Sequence, residues 1–329
     1  MRRGALKTPA DGTSIATPDS PGPSLLGVIA AFAAVYIIWG STYLAIRFAV
    51  EALPPLLMAG TRFLVAGSVL YAWSRRRGAA KPIRTHWRSA AVVGTLLLLG
   101  GNGSVCWAER TIPSGMAALI VTTVPLWMAL LEALRPGGQR PSRWDVLGLI
   151  LGFAGVYILV DPGRDMDARS LNVAGVLILL FASLSWATGS LYSRHAKLPD
   201  SPLLAAAMEM LAGGAALVVV GLAMGEGGAL NWKMLTPASM TALAYLILFG
   251  SIVGFTSYMW LLRVSTPSRV GTYAFVNPAV AVVLGWAMAD EVISPRILLA
   301  MVVILTSVAL ITQTKRPADM TPRRAGDHS

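Results

Sequence analysis

The sequence predicts an all-α integral membrane protein: ten transmembrane helices arranged as two five-helix repeats of inverted topology. Three observations carry this. The chain is 55% hydrophobic and only 13% charged, about half the charged share of a soluble domain. Its charges collect in short clusters between apolar runs of the ~20 residues that cross a bilayer. One stretch also occurs twice. WAERTIPSGMAALIVTTVP at 107–125 and WLLRVSTPSRVGTYAFVNP at 260–278 share W-x-x-R, fourteen residues and then P, at a constant offset of 153. Upstream, Trp39, Arg47 and Pro55 are matched by Trp186, Arg194 and Pro202 at an offset of 147. The change of offset falls in a poorly matched stretch, where loops absorb insertions.

In chain order, residues 1–24 are rich in Pro, Thr, Ser, Gly and Asp and predict a disordered cytoplasmic tail. Arg2, Arg3 and Lys7 ahead of an apolar run mimic a secretory signal, but the run at 25–46 is longer than a signal core and nine more follow. It reads as a retained first helix. The spans fall at 25–46, 54–74, 88–108, 112–133 and 143–160, then at 172–193, 202–224, 237–259, 267–288 and 294–313. The first repeat is thus 25–160, an external linker covers 161–171, the second repeat is 172–313, and 314–329 is a basic cytoplasmic tail. The short connections suit antiparallel helical neighbours. In lipid only helices or closed barrels satisfy the backbone, and these runs are too continuous for barrel strands.

Orientation follows from the basic residues. With the N-terminus in the cytoplasm, twenty Lys and Arg fall in inside segments and six in outside ones, a strong positive-inside bias. The net charge of +11 is therefore a topology signal, not a nucleic-acid footprint. Both termini are expected inside. Five spans per repeat is an odd number, so the second copy enters the membrane in the opposite sense, with Arg110 outside and its mate Arg263 inside. Inverted repeats are typical of secondary transporters, where two halves of opposite orientation give two conformations, each open to one side.

Several other classes find little support. Cys106 is the single cysteine, so no intrachain disulfide or thiolate metal cluster forms. His86, His195 and His328 fall in loops or the tail, so no metal or cofactor is expected. There is no phosphate-binding Walker loop and no filter-like motif. One enzyme reading has a hook: His195 to Asp200 has the H-x-x-x-x-D spacing of membrane acyltransferases, a His general base held by a carboxylate. The segment is a loop of a few residues with no domain to hold an acyl donor.

The landmarks IIWGSTYLAI in the first span, TRFLVAG with Arg62 in the second, the spans of Pro125 and Pro278, GGQRPS at 137–142 and LGLILGFAGVYILV closing the first half cover nearly the whole chain. Together they resemble the EamA branch of the drug/metabolite transporter superfamily, in its YedA-like flavour. The resemblance implies export of small metabolites or amino acids across a bacterial inner membrane. One departure is visible: the Glu that the family often carries after the fourth span is Gln139 here, whereas the second copy keeps Asp290 and Glu291.

Within the spans, Glu209 in AAAMEMLAGG is the repeat mate of Arg62. An intramembrane charge is a functional candidate by default. The expectation is that both face a central cavity, Arg62 for a substrate carboxylate and Glu209 for an amine or a coupling proton; the alternative is a structural ion pair. Pro125 and Pro278 free the carbonyls of Val121 and Ala274 and are expected to kink their helices, as hinge or cavity elements. Asn102 and Asn277 offer amides to substrate or to a neighbouring helix. Trp39, Trp186, Tyr43 and Tyr273 are candidate cavity aromatics, whereas Trp107 and Trp260, near span ends, suit a belt or a gate. The implied partners are a small-molecule substrate, protons and membrane lipids. A passive facilitator of the same fold, and a monomer or a dimer, remain open alternatives.

Overall fold

A computed structural model describes residues 24–135, 142–160, 173–230, 234–265, 270 and 272–314. The terminal tails, the linker, Gln139 and the side chain of Arg263 lie outside the described residues. Among the described residues there are helices and no strands. The long helices are α1 (Leu25–Val50), α2 (Pro55–Arg76), α3 (Arg84–Ala108), α4 (Ser114–Leu134), α5 (Arg143–Val160), α6 (Val173–Ser193), α7 (Pro202–Ala223), α8 (Pro237–Val264), α9 (Tyr273–Ala289) and α10 (Pro295–Thr314). Seven of them, α1 to α4 and α6 to α8, are long and apolar enough to cross a membrane, while α9 and the described part of α10 are shorter apolar helices.

Local chemistry sets the starts. Pro55, Pro202, Pro237 and Pro295 open α2, α7, α8 and α10, where a missing N–H costs nothing and φ is already helical. Ser24, Ser201 and Thr236 cap α1, α7 and α8 by accepting from free backbone N–H groups. Ser142 and Asp145 bond reciprocally at the start of α5. The first helix runs past the expected end at Ile46 to Val50, and Arg47 in its last turn donates to the carbonyl of Glu109 (3.1 Å).

The bundle is apolar outside as well as inside. Val65, Val69, Ile150, Leu177, Phe181 and Val219 are exposed along the helices, whereas Arg62, Glu209 and Asn277 are buried. In water this would be inverted; in lipid it is the expected partition. Trp73, Trp87 and Trp144 are exposed at the helix ends nearest the basic loops, with Arg77 over Trp73 (5.1 Å) and Arg143 over Trp144 (5.3 Å), as interfacial anchors sit.

The repeats pack through a pseudo-twofold relation. α2 lies along α7 and α5 along α10; α1 touches α8 and α9 as its mate α6 touches α3 and α4. Small residues make the closest seam. A methyl group added to Gly60 would stand 3.1 Å from the carbonyl of Gly214, and one added to Gly67 would stand 3.0 Å from that of Ala207. As one residue number rises the other falls, so α2 and α7 run antiparallel. Gly60 and Ala207, and Gly67 and Gly214, are also repeat mates at the offset of 147. One contact is therefore the image of the other.

The third helix of each repeat departs from α geometry. α3 contains a π-helical stretch at Thr95–Gly103, and α8 contains one at Leu246–Val253. Such wide turns occur frequently at functional sites. Apolar periodicity did not signal them.

Candidate functional site

Seven helices enclose a cavity of about 110 Å³ between the repeats, room for several waters or a compact solute. α1 contributes Trp39, Thr42 and Tyr43; α2 contributes Arg62 and Phe63; the π stretch of α3 contributes Gly101 and Asn102. The second repeat contributes Trp186 from α6, Gly250 and Phe255 from α8, and Tyr273, Asn277 and Pro278 from α9. α5 and α10 contribute none of its lining.

Two tryptophans of its lining meet. The rings of Trp39 and Trp186 are edge to face at 6.3 Å. Each rests on a glycine of the opposite repeat: a methyl group added to Gly254 would lie 2.6 Å from Trp39 Nε1, and one added to Gly101 would lie 2.9 Å from the Trp186 ring. Gly101 and Gly254 are repeat mates at the offset of 153, so both need to be small for the same reason. Trp39 Nε1 donates to the carbonyl of Gly250 (3.2 Å). Tyr258 (4.9 Å) and Tyr273 (5.4 Å) complete an aromatic wall around Trp39.

Arg62 is the cation of the cavity. It is 4% exposed. Its Nε donates to Ser251 Oγ at 2.7 Å, and its guanidinium lies 4.7 Å from the Phe63 ring centre. Its Nη1 is buried with no hydrogen-bond partner. A guanidinium stays charged in any protein setting, and a buried charge is costly unless paired. Among the described residues Arg62 has no carboxylate partner.

Glu209 does not join it. The residue is buried, but it does not line the cavity, and no ion pair links it to Arg62. Here α7 crosses α3 at close quarters: a methyl group on Gly94 would stand 2.3 Å from the carbonyl of Glu209. The two charges share a repeat position and not a cavity.

The amides differ in the same way. Asn277 is buried, and with its amide assigned so that the nitrogen faces acceptors it donates to the carbonyls of Tyr36 (3.1 Å) and Tyr273 (3.2 Å), tying α9 to α1. Asn102 lines the cavity and accepts from Cys106 Sγ (3.5 Å).

Pro125 and Pro278 play unlike parts. α4 breaks at Thr122 and Thr123 into Ser114–Val121 and Val124–Leu134, and Pro125 stands in the first turn of the second piece. The hydroxyls of Thr122 and Thr123 donate to the carbonyls of Ala118 (2.8 Å) and Ile120 (2.7 Å), so the break leaves its polar groups bonded. Pro278 lies within α9, which stays helical through it, and it lines the cavity. Trp107 and Trp260 are half-buried off the cavity, Trp260 against Ala31, Val35 and Leu261. His195 and Asp200 are both exposed, and His195 Nδ1 faces the carbonyl of Leu191 (3.3 Å), not Asp200.

At the end of the bundle remote from Leu25, carboxylates cap helices. Glu291 accepts from Ser114 N (2.7 Å), Ser114 Oγ (2.7 Å) and Gly115 N (3.0 Å), closing the start of α4 from the other repeat. Glu226 accepts from Leu56 N (3.2 Å) and Leu57 N (2.9 Å) at the start of α2. Carboxylates suit helix N-termini. The sequence marked Glu291 only as the retained member of a pair, and it left Glu226 unremarked.

The EamA-like transporter family pattern matches residues 25–161 and 173–313. The chain is 41% identical over 295 residues to the inner membrane transporter YedA of Escherichia coli (strain K12), covering 88% of this chain and 92% of that one. It is 26% identical to the transporter YvbV of Bacillus subtilis (strain 168), covering 84% and 88%. It is 24% identical to a probable amino-acid metabolite efflux pump of Escherichia coli (strain K12), covering 83% and 91%. A solved crystal structure, 21% identical, superposes with a TM-score of 0.61 over 88% of this chain and 98% of that one, and so shares the fold. On these matches and on its two-repeat helical architecture, the chain belongs to the EamA-like transporter family.

Proposed function

We propose that the protein is a secondary transporter of the inner membrane that exports small amino-acid-like carboxylates by alternating access. Ten spans in two inverted repeats, both termini cytoplasmic, form the transport unit. The buried, unpaired Nη1 of Arg62 in the cavity carries the substrate class. A buried guanidinium without a counter-ion is completed by an anionic ligand, and a planar carboxylate accepts from it at two points. The aromatic wall of Trp39, Trp186 and Tyr273 suits an apolar side chain or, through the ring faces, an ammonium group. Export is the direction suggested by the name of the efflux pump among the relatives.

Coupling to protons is part of the proposal, with passive facilitation as its alternative. Accumulation against a gradient that collapses with an uncoupler favours coupling. The substrate reading is tested by profiling the medium of cells that carry the protein, Arg62→Gln or an empty vector, at matched membrane levels. A carboxylate released by the wild type and lost in Arg62→Gln is expected. Equal release by the two removes Arg62 from the site.

A further inference from the structure

Glu109 follows α3 directly and sits in the short link to α4, outside the spanning segments. It is 0% exposed. Both of its carboxyl oxygens are buried without a hydrogen-bond partner. A carboxylate accepts at about four sites, and an ionised one in such a place is among the costliest groups a fold can hold. Nothing in the substrate reading uses it.

Its electrostatic neighbours line two separate spaces. Tyr43 lines the central cavity. Arg47 and Glu291, with Gly115 and Asp290, line a second cavity of about 370 Å³ at the remote end. Glu109 lines neither. The charged and titratable groups around it come from several elements. Arg47 and Tyr43 face it from α1, and Cys106 from α3. Glu291 faces it from the link after α9. Arg62 and Glu226 act on the neighbouring Cys106, and Arg110 beside it is exposed. Arg47, the basic group at hand, spends its Nη1 on the Glu109 carbonyl, and its Nε lies 3.9 Å from Glu51.

We propose that Glu109 is a proton-binding site whose carboxyl holds a proton while this end of the bundle is closed and releases it to water when the end opens. Burial first, and then the charge of Glu291, push its carboxyl well above the usual carboxylate range, against the pull of Arg47. The sign follows. A carboxyl more basic in the closed form than in the open, hydrated form favours closure at low pH, and closure weakens as pH rises through the raised value. The role in transport rests on the alternating-access reading: a proton taken from water at the outer end closes that end and returns to the same side when it opens, so the site gates one face of the cycle and does not itself carry protons across. The site itself does not depend on that reading.

The test uses purified full-length protein without substrate. Infrared difference spectra across pH are recorded for the wild type, Glu109→Gln and Glu209→Gln. A protonated-carboxyl component that titrates, is lost in Glu109→Gln and survives in Glu209→Gln is expected. A band unchanged by Glu109→Gln overturns the site. If Glu109→Gln does not accumulate, Glu209→Gln alone decides, since loss of the whole band there assigns it to Glu209. Opening is read through the single, buried Cys106. The ratio of its alkylation rates, wild type over Glu109→Gln, with each rate normalised to the Cys106 thiolate fraction, is expected to climb with pH by up to about tenfold per unit, the limit for one proton released. A ratio flat across pH overturns the link to opening. Failure of the Arg62 release experiment leaves both readouts standing, so the two ideas fall separately.

Discussion

Single side chains in this bundle are constrained most where there are none. Gly94 and Gly213 let α3 and α7 meet backbone to backbone, and a methyl group on either would stand 2.3 Å or 2.5 Å from a facing carbonyl. A carbonyl cannot swing aside as a flexible side chain can. Gly94→Ala is therefore expected to destabilise the protein by about 1–3 kcal/mol. Gly228→Ala, with nothing within 4 Å of the added group, serves as the reference and should shift stability by less than ~0.5 kcal/mol. Unfolding midpoints in detergent measure both, and equal midpoints would show that the crossing relaxes. At this scale the sequence was readable in part. Arg62 and Glu209 stand out as charges in apolar runs, but a helix apolar on all sides carries no stripe to say which way a residue points. Glu109 was passed over because a carboxylate in a short link reads as solvated; its burial comes from the packing of α1 and the link after α9, which no local pattern encodes.

Helices interrupted in their middles give the cavity its shape. The π stretches of α3 and α8 lie at matching places in the repeats and bring Gly101, Asn102 and Gly250 to the cavity. Uniformly apolar sequence hides them, since a wide turn changes the spacing of contacts and not the composition. Proline was the visible signal, and in α4 the first piece ends at Val121, four residues before Pro125. There the break is held by threonine hydroxyls, with Thr123 O also accepting from Leu126 N (2.9 Å). Pro125→Ala is expected to cost only a few tenths of a kcal/mol, because proline in a first turn forfeits no bond. Thr123→Val removes a buried hydrogen bond worth about 1 kcal/mol. Thermal unfolding of the two variants should rank them in that order; the reverse ranking would make the proline the cause of the break.

At the scale of the whole molecule, the offsets of 147 and 153 anticipated the architecture because Trp, Arg and Pro landmarks survive in both repeats. They match residues that do the same work twice, as Trp39 on Gly254 and Trp186 on Gly101 do. Composition told the chain from a soluble protein, and charge asymmetry proposed its orientation. That orientation is directly measurable. A reporter active only outside the cytoplasm should be silent when fused at residue 80 and active when fused after residue 226, on opposite sides of α2 and α7. Activity at residue 80 would reverse the topology and, with it, the side on which Glu109 meets water.

The glycine seam between α2 and α7 has a further consequence for ancestry. Its two contacts, Gly60 with Gly214 and Gly67 with Ala207, exchange when the repeats are exchanged. Such a surface is self-complementary, as a twofold homodimer interface must be. A half-length forebear, inserted in both directions in the same membrane, would already have possessed it. Fusing two such genes needed no new interface, only a linker, and it freed each half to diverge. Arg62 and Glu209 record that divergence: one ancestral position, now a cation at the cavity in one half and an acid buried away from it in the other.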